Sequence, residues 1–140
     1  MGPKHIDQIC FNLYSTSSMI TQAYKPLLEP FKLTYPQFVV MMSLWQEQNV
    51  SVTELAQSVG LSKATVTPII KRLQSVGYVT KTLVEGNERQ KSVALTDEGK
   101  KLARAGKKVA KQALCATGLT ESEADTMISL SQKIRQNLAS

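Results

Sequence analysis

Apolar positions recur every three or four residues at the start of the chain: Ile6, Ile9, Cys10, Leu13, Ile20, Tyr24 and Leu27, with Ser17 in the same stripe. That period belongs to one face of a helix. It predicts a first helix from about Ile6 to about Leu28. Pro26 and Pro30 mark its end or a kink, because proline lacks the N–H that a helix interior uses. Thr34 can cap a second helix, with Pro36 in its first turn. That helix carries Phe38, Val39, Met42 and Trp45 and ends near Glu47.

The rhythm shortens in the middle of the chain. In "SVTELAQSVG", Ser51 and Glu54 have capping-box spacing, and Gly60 is a natural C-terminal cap. Leu55 and Val59 face inward. After Leu61, Ser62 can cap a helix over "SKATVTPIIKRLQSVG", and Gly77 can end it. Two short helices joined through a glycine turn have the form of a helix-turn-helix. "YVTKTLV" and "SVAL" then show strand character on either side of the polar turn "EGNERQK". A two-strand hairpin with a charged tip, directly after a helix-turn-helix, makes a winged helix. Thr96 caps the next helix, with Asp97 and Glu98 where the helix dipole favours acids. It runs to about Ala116, and Gly118 breaks it. Thr120 and Glu123 form a second capping box, for a last helix to about Leu138. The expected fold is mainly α with a small β wing. It is one domain over 1–140, with the winged helix-turn-helix at about 34–96 and flanking helices at about 6–28 and 97–138.

Length and composition agree with one domain, since 42% of the 140 residues are hydrophobic. No run of eighteen apolar residues suits a membrane span. "MGPKHIDQIC" lacks the apolar run and cleavage site of a signal peptide, so a cytoplasmic location is expected. Two cysteines 105 positions apart make neither a disulfide scaffold nor a CxxC pattern. His5, the sole histidine, argues against a zinc site or a histidine-based triad. No metal or cofactor is expected.

Charge adds more. The net charge is +6, but residues 62–111 hold 12 Lys+Arg against 4 Asp+Glu, a net of +8, and the remainder is net −2. A basic block inside a near-neutral chain suits an anionic partner, with nucleic acid the first candidate, or else a solvated helix face. The helix-turn-helix favours the former. A recognition helix needs short polar side chains at its N-terminal end and cations for phosphates. Ser62, Lys63, Thr65 and Thr67 meet the first need, and Lys71 and Arg72 the second. Val66, Ile69, Ile70 and Leu73 form the buried face, and Pro68 can bend the helix. At the wing tip, Arg89 lies among Asn87, Gln90 and Lys91. A guanidinium on a narrow ribbon can enter a minor groove, or it can merely fold the turn.

"VTELAQSVGLSKATVTPIIKRLQSVGYVTKT" followed by "NERQKSVALTDEGKKL" resembles the MarR family of winged-helix repressors, over nearly the whole chain. The L-T-x-x-G pattern after the wing is the more specific part. The resemblance implies a homodimer in which the first helix and the last two form a dimerisation domain, and two winged lobes read a palindromic operator in double-stranded DNA. Asn87 stands where the family's wing motif D-x-R commonly has Asp.

Cys10 is then the open question. On spacing alone it is a small packed hydrophobe or a reactive thiol. "ICFNLYSTSSMITQAYKPLLEPFKLTYPQF" resembles the organic-hydroperoxide-sensing branch of the family, often called OhrR. There, two tyrosines from the partner subunit hydrogen-bond a cysteine in the first helix. The matching residues are Cys10, Tyr24 and Tyr35. The chemistry is coherent, since thiolate attacks peroxide and phenol donors stabilise thiolate. Tyr24 and Tyr35 could equally be core aromatics. Cys115, among Val109, Ala113 and Ala116, could be one more core residue. The resemblance gives it a second role, resolving the Cys10 sulfenate of the partner chain. The function expected is a repressor that releases DNA when organic hydroperoxide oxidises Cys10, and not an enzyme. Three rivals stand beside it: a MarR-type repressor released by a small aromatic ligand, a thiol peroxidase, and a non-specific architectural DNA binder.

Overall fold

The computed structural model describes residues 1–84 and 87–139, with backbone alone at 83, 84 and 87–90. Its compact units are Tyr24–Val109 and the pair of segments Met1–Ala23 and Ala110–Ser140.

Helix α1 (Ile9–Leu28) begins later than its apolar stripe suggests. His5–Asp7 form a separate 3-10 turn, and Gln8 is extended. The Asn12 side chain holds this entry by donating to the carbonyls of Ile6 (2.8 Å) and Gln8 (2.7 Å). Pro26 lies inside α1 without ending it, and Pro30 opens the 3-10 turn Glu29–Phe31.

Helix α2 (Tyr35–Gln46) starts at the Thr34–Gln37 capping box. Its fully buried residues are Phe38, Val40, Met41 and Leu44, whereas Val39, Met42 and Trp45 are only partly buried. The helix is apolar nearly all round, so periodicity could not select a face.

A strand that the sequence did not suggest follows. β1 (Val50–Ser51) pairs antiparallel with β3 (Asn87–Leu95), which pairs with β2 (Val79–Val84), so the sheet has three strands in the order β1-β3-β2. Two residues carry too little alternation to announce a strand. Asn49, at φ 63, turns the chain into it and donates its N–H to the Val93 carbonyl at 2.9 Å. β3 also takes in most of the polar segment expected as a turn. Backbone pairing, not apolar content, extends the ribbon there.

Helices α3 (Val52–Val59) and α4 (Lys63–Ser75) form the expected helix-turn-helix. Ser51 and Glu54 make the capping box of α3, and Gly60 ends it at φ 70, a left-handed conformation that glycine adopts without a Cβ penalty. Leu55 and Ala56 are buried on α3, and Val66, Ile70 and Leu73 on α4. With Phe38, Met41, Leu44, Val79 and Val93 they make one core.

Helix α5 (Asp97–Ala116) starts at Thr96, whose hydroxyl oxygen accepts from Gly99 N at 3.1 Å and donates to the Gly77 carbonyl at 2.6 Å. The glycine of the L-T-x-x-G pattern is Gly99. A Cβ there would collide with the Tyr78 backbone carbonyl, so only glycine lets α5 lie this close to the start of the wing. Gly106 similarly leaves room for the Trp45 ring, which a Cβ would approach to 2.5 Å. Helix α6 (Glu121–Ala139) follows the Thr120–Glu123 capping box. Among the described residues no helix is long and apolar enough to cross a membrane.

Candidate nucleic-acid interface and thiol sites

The buried side of α4 leaves Lys63, Thr65, Lys71 and Arg72 exposed. Two of the hydroxyls expected to face DNA are engaged in holding the helix. Ser62 Oγ accepts from Thr65 N at 3.1 Å and lies 2.8 Å from Thr65 Oγ1. Thr67 Oγ1 donates to the Lys63 carbonyl at 2.8 Å, which leaves it acceptor lone pairs only. Thr65 Oγ1 is engaged with Ser62 as well, so Lys63 remains the freer polar group at this end. Ala64 and Pro68 are also exposed, one turn apart. A search for polar readers passes over them, although an Ala methyl can contact the methyl group of thymine. The side chains of Asn87, Arg89 and Gln90 lie outside the described residues. Lys91 is exposed on β3.

A groove of about 570 Å³ opens between the start of α3, the start of α4 and the wing, lined by Thr53, Glu54, Lys63, Thr67, Lys81 and Lys91 among others. Lys81, which sequence reasoning missed, is only partly exposed. Partial burial, then the nearby Lys91 and Lys71, pull its ammonium below the ordinary lysine range. Its signal was the strand alternation. Counting from buried Val79 puts Lys81 on the inner face, between exposed Thr80 and Thr82.

Cys10 is the second residue of α1 and is exposed; Cys115, in the last turn of α5, is exposed too, and both are free thiols. Cys115 is thus not packed within the core of its own chain. Val109 and Ala113 are buried, but at helical spacing they face away from it. Cys10 likewise has no packing role within its own chain.

In the winged unit, the Tyr24 and Tyr35 rings lie 4.7 Å apart between centroids, tilted by 44°, and Tyr24 also meets Phe38 at 5.8 Å. Both tyrosines pack against the core, yet neither hydroxyl has a hydrogen-bond partner among the described residues. Burial, then Tyr35, raise the Tyr24 phenol above its ordinary value, so it stays a protonated donor. Separately, α1, α5 and α6 enclose an apolar cavity of about 460 Å³ lined by Met19, Ile20, Ala23, Ala113, Leu119 and Met127 among others. Among the described residues no group of three or more His, Cys, Asp or Glu side chains could hold a metal.

A three-stranded wing behind a capped helix-turn-helix with an exposed basic face defines the winged-helix class. Residues 33–91 match the MarR family. The chain is 34% identical over 105 residues to the HTH-type transcriptional regulator SarZ of Staphylococcus saprophyticus, covering 75% of this chain and 72% of that one. This chain belongs to the MarR family. It is 40% identical over 101 residues to the HTH-type transcriptional regulator TtmR of Methylorubrum extorquens, covering 71% of this chain and 52% of TtmR. It is 36% identical over 93 residues to the organic hydroperoxide resistance transcriptional regulator of Bacillus subtilis, covering 66% of this chain and 63% of that protein. The chain thus spans about half to two-thirds of the length of these last two relatives. Among solved structures, reduced AbfR bound to DNA superposes with a TM-score of 0.81 at 28% identity, over 96% of this chain and 92% of that one. Disulfide-formed AbfR gives a TM-score of 0.68 at the same identity, over 96% and 89%.

Proposed function

We propose that this chain is a homodimeric transcriptional repressor that binds a palindromic site in double-stranded DNA and releases it when organic hydroperoxide oxidises Cys10. The observation that carries the reading is a free thiol, Cys10, exposed in the first turn of α1 of a chain with a winged helix-turn-helix. The Cys10 thiolate attacks the peroxide O–O bond, takes one oxygen to become a sulfenate and, with a proton, releases the alcohol. The thiol of Cys115 from a partner chain then displaces hydroxide from the protonated sulfenic acid, giving a disulfide and water. The phenols of Tyr24 and Tyr35 are the donors that would stabilise the thiolate from across the dimer.

A relative named for organic hydroperoxide resistance, and a fold neighbour solved both reduced on DNA and disulfide-formed, support this reading. Exposed Ile9, Leu13, Met127, Ile128 and Leu130, on α1 and α6, supply apolar surface for the dimer. The DNA contacts in this reading are Ser62, Lys63, Thr65, Thr67, Lys71 and Arg72 on α4, with Arg89 and Lys91 on the wing. A cytoplasmic location belongs to the same reading. The test is chemical: one equivalent of an organic hydroperoxide should give a sulfenate, trapped on Cys10 by a dione reagent when Cys115 is changed to Ser. A Cys10 that stays a thiol under those conditions removes the sensing role. The apolar cavity supports a second reading, release by a small aromatic ligand. It predicts unchanged peroxide response in Cys10→Ser and a DNA affinity set by ligand alone.

A further inference from the structure

Lys81 is an unusual lysine. It lies on β2 opposite Val93, on the face that also carries buried Val79. Burying a lysine even in part costs hydration, which a paired acid would offset. Among the described residues Lys81 has no carboxylate partner, and the ion pair formed is Lys101 with Glu98, at 3.8 Å on the surface of α5. What faces Lys81 is more positive charge: Lys71 on α4 and Lys91 on β3 disfavour its ammonium, and Lys63 on α4 lines the same groove. The one acid at the groove among the described residues is Glu54 of α3, whose Oε1 accepts from Ser51 N at 3.3 Å. Converging cations cost free energy where, as among the described residues, no carboxylate pairs with them, and an anion between them relieves it.

We propose that this groove seats a phosphate of the DNA backbone, with Lys81 as its inner cation and Lys63 and Lys91 on its two walls. The proposal rests on the DNA-binding reading above and adds a residue to it. The class of anion follows from position. A recognition helix enters the major groove, and a wing reaches the neighbouring minor groove. The sugar–phosphate strand that separates those grooves has to pass between helix and wing, where this groove is open. Thr53, at the start of α3, has a hydroxyl with no partner among the described residues and completes the lining with a neutral donor. The contact carries no sequence information. It positions the protein and contributes to affinity on any duplex.

The seat also links binding to protons. A phosphodiester beside Lys81 favours its charged form, so the lysine titrates higher in the complex than in the free protein. Binding is then independent of pH well below the lowered lysine value. Affinity declines as pH rises through that value, because the free protein must take up a proton to bind. Among the described residues, Lys63, Lys91 and Glu54 share the groove with Lys81, and Lys71 acts on it from α4.

The test uses the full chain and a mixed-sequence duplex, with affinity measured by fluorescence anisotropy across a salt series. Lys81→Met should weaken binding to this duplex and flatten the plot of log affinity against log salt by about 0.9 per protomer, about two per dimer. Lys81→Arg should keep the slope. In a pH series below the ordinary lysine value of about 10.4, wild-type affinity should fall as pH rises, while Lys81→Arg, whose guanidinium stays charged, should be flatter. If Lys81→Met folds poorly by circular dichroism, the comparison of wild type with Lys81→Arg decides alone. An unchanged slope in folded Lys81→Met, or matching pH profiles in wild type and Lys81→Arg, overturns the seat and leaves the DNA reading standing. A wild-type protein that binds no duplex at low salt overturns the DNA reading, and the seat with it.

Discussion

Trp45 Nε1 donates to the Gly99 carbonyl at 2.9 Å, tying the last turn of α2 to the first turn of α5. Gly99 is fixed from a second side, because a Cβ would collide with the Tyr78 carbonyl. Trp45→Phe should lose one hydrogen bond, about 1 kcal/mol of stability. Gly99→Ala should cost more, about 1–3 kcal/mol, since the obstructing atom is backbone and cannot swing aside. Urea denaturation midpoints check this. A Gly99→Ala protein as stable as wild type would mean that α5 starts elsewhere.

The contacts proposed for DNA separate by their salt dependence. Arg89→Ala should lower affinity on all sequences and flatten the salt slope by about one unit per contact, two per dimer. Thr65→Ala should instead relax sequence choice, because a good base contact contributes roughly 1–3 kcal/mol of discrimination. Competition between an operator and a mixed-sequence duplex reads both effects. Equal loss on both sequences for Thr65→Ala would assign it to the backbone.

Alkaline pH should expose the strain on the phenols. The Tyr24 value is raised by burial and then by Tyr35, and the Tyr78 value by burial and then by Glu98. A group whose folded value lies above its ordinary 10.0 contributes stability fully below that pH and loses it as pH rises through the folded value. Stability should therefore decline at pH above 10.0, and Tyr24→Phe should decline less steeply. Parallel curves for wild type and Tyr24→Phe would contradict the burial of that hydroxyl.

Much of this was legible in the chain because caps are local. Thr34, Ser51, Ser62, Thr96 and Thr120 each announce a helix start by hydroxyl chemistry within a few residues, and Gly60 and Gly77 announce ends. β1 was not legible, since two residues depend on pairing with Val93 and Ser92, more than forty positions away. The buried face of α2 was ambiguous because its apolar residues surround the helix. The Gly99 pattern could be seen as a motif, but its cause, the Tyr78 carbonyl, is a contact across the fold. For the site, the α4 cations were visible as a charge block. Lys81 hid in a strand, where inward or outward direction follows from register. Cys10 and Cys115 sat at apolar spacing, and only the fold shows them exposed.

The two thiols give a covalent prediction. After organic hydroperoxide, non-reducing electrophoresis should show a dimer band that thiol reductant removes. Cys10→Ser and Cys115→Ser should each abolish it. Cysteines can join only when their Cα atoms come within about 7 Å, so the dimer must bring Cys10 of one chain near Cys115 of the other. Wild-type protein that is fully oxidised yet monomeric on that gel would take the resolving role from Cys115.

The central claim is that oxidation of Cys10 controls DNA binding. The direct measurement is the affinity of reduced wild type and Cys10→Ser for a palindromic operator, before and after one equivalent of organic hydroperoxide. Two recognition helices must meet half-sites about 34–36 Å apart, so a modest shift on oxidation is enough for release. Wild type should bind, lose affinity by at least about tenfold on oxidation, a change of about 1.4 kcal/mol, and recover with thiol reductant. Cys10→Ser should bind and stay bound. Release of Cys10→Ser by the peroxide, or retention of wild type after its Cys10 is oxidised, would contradict the account.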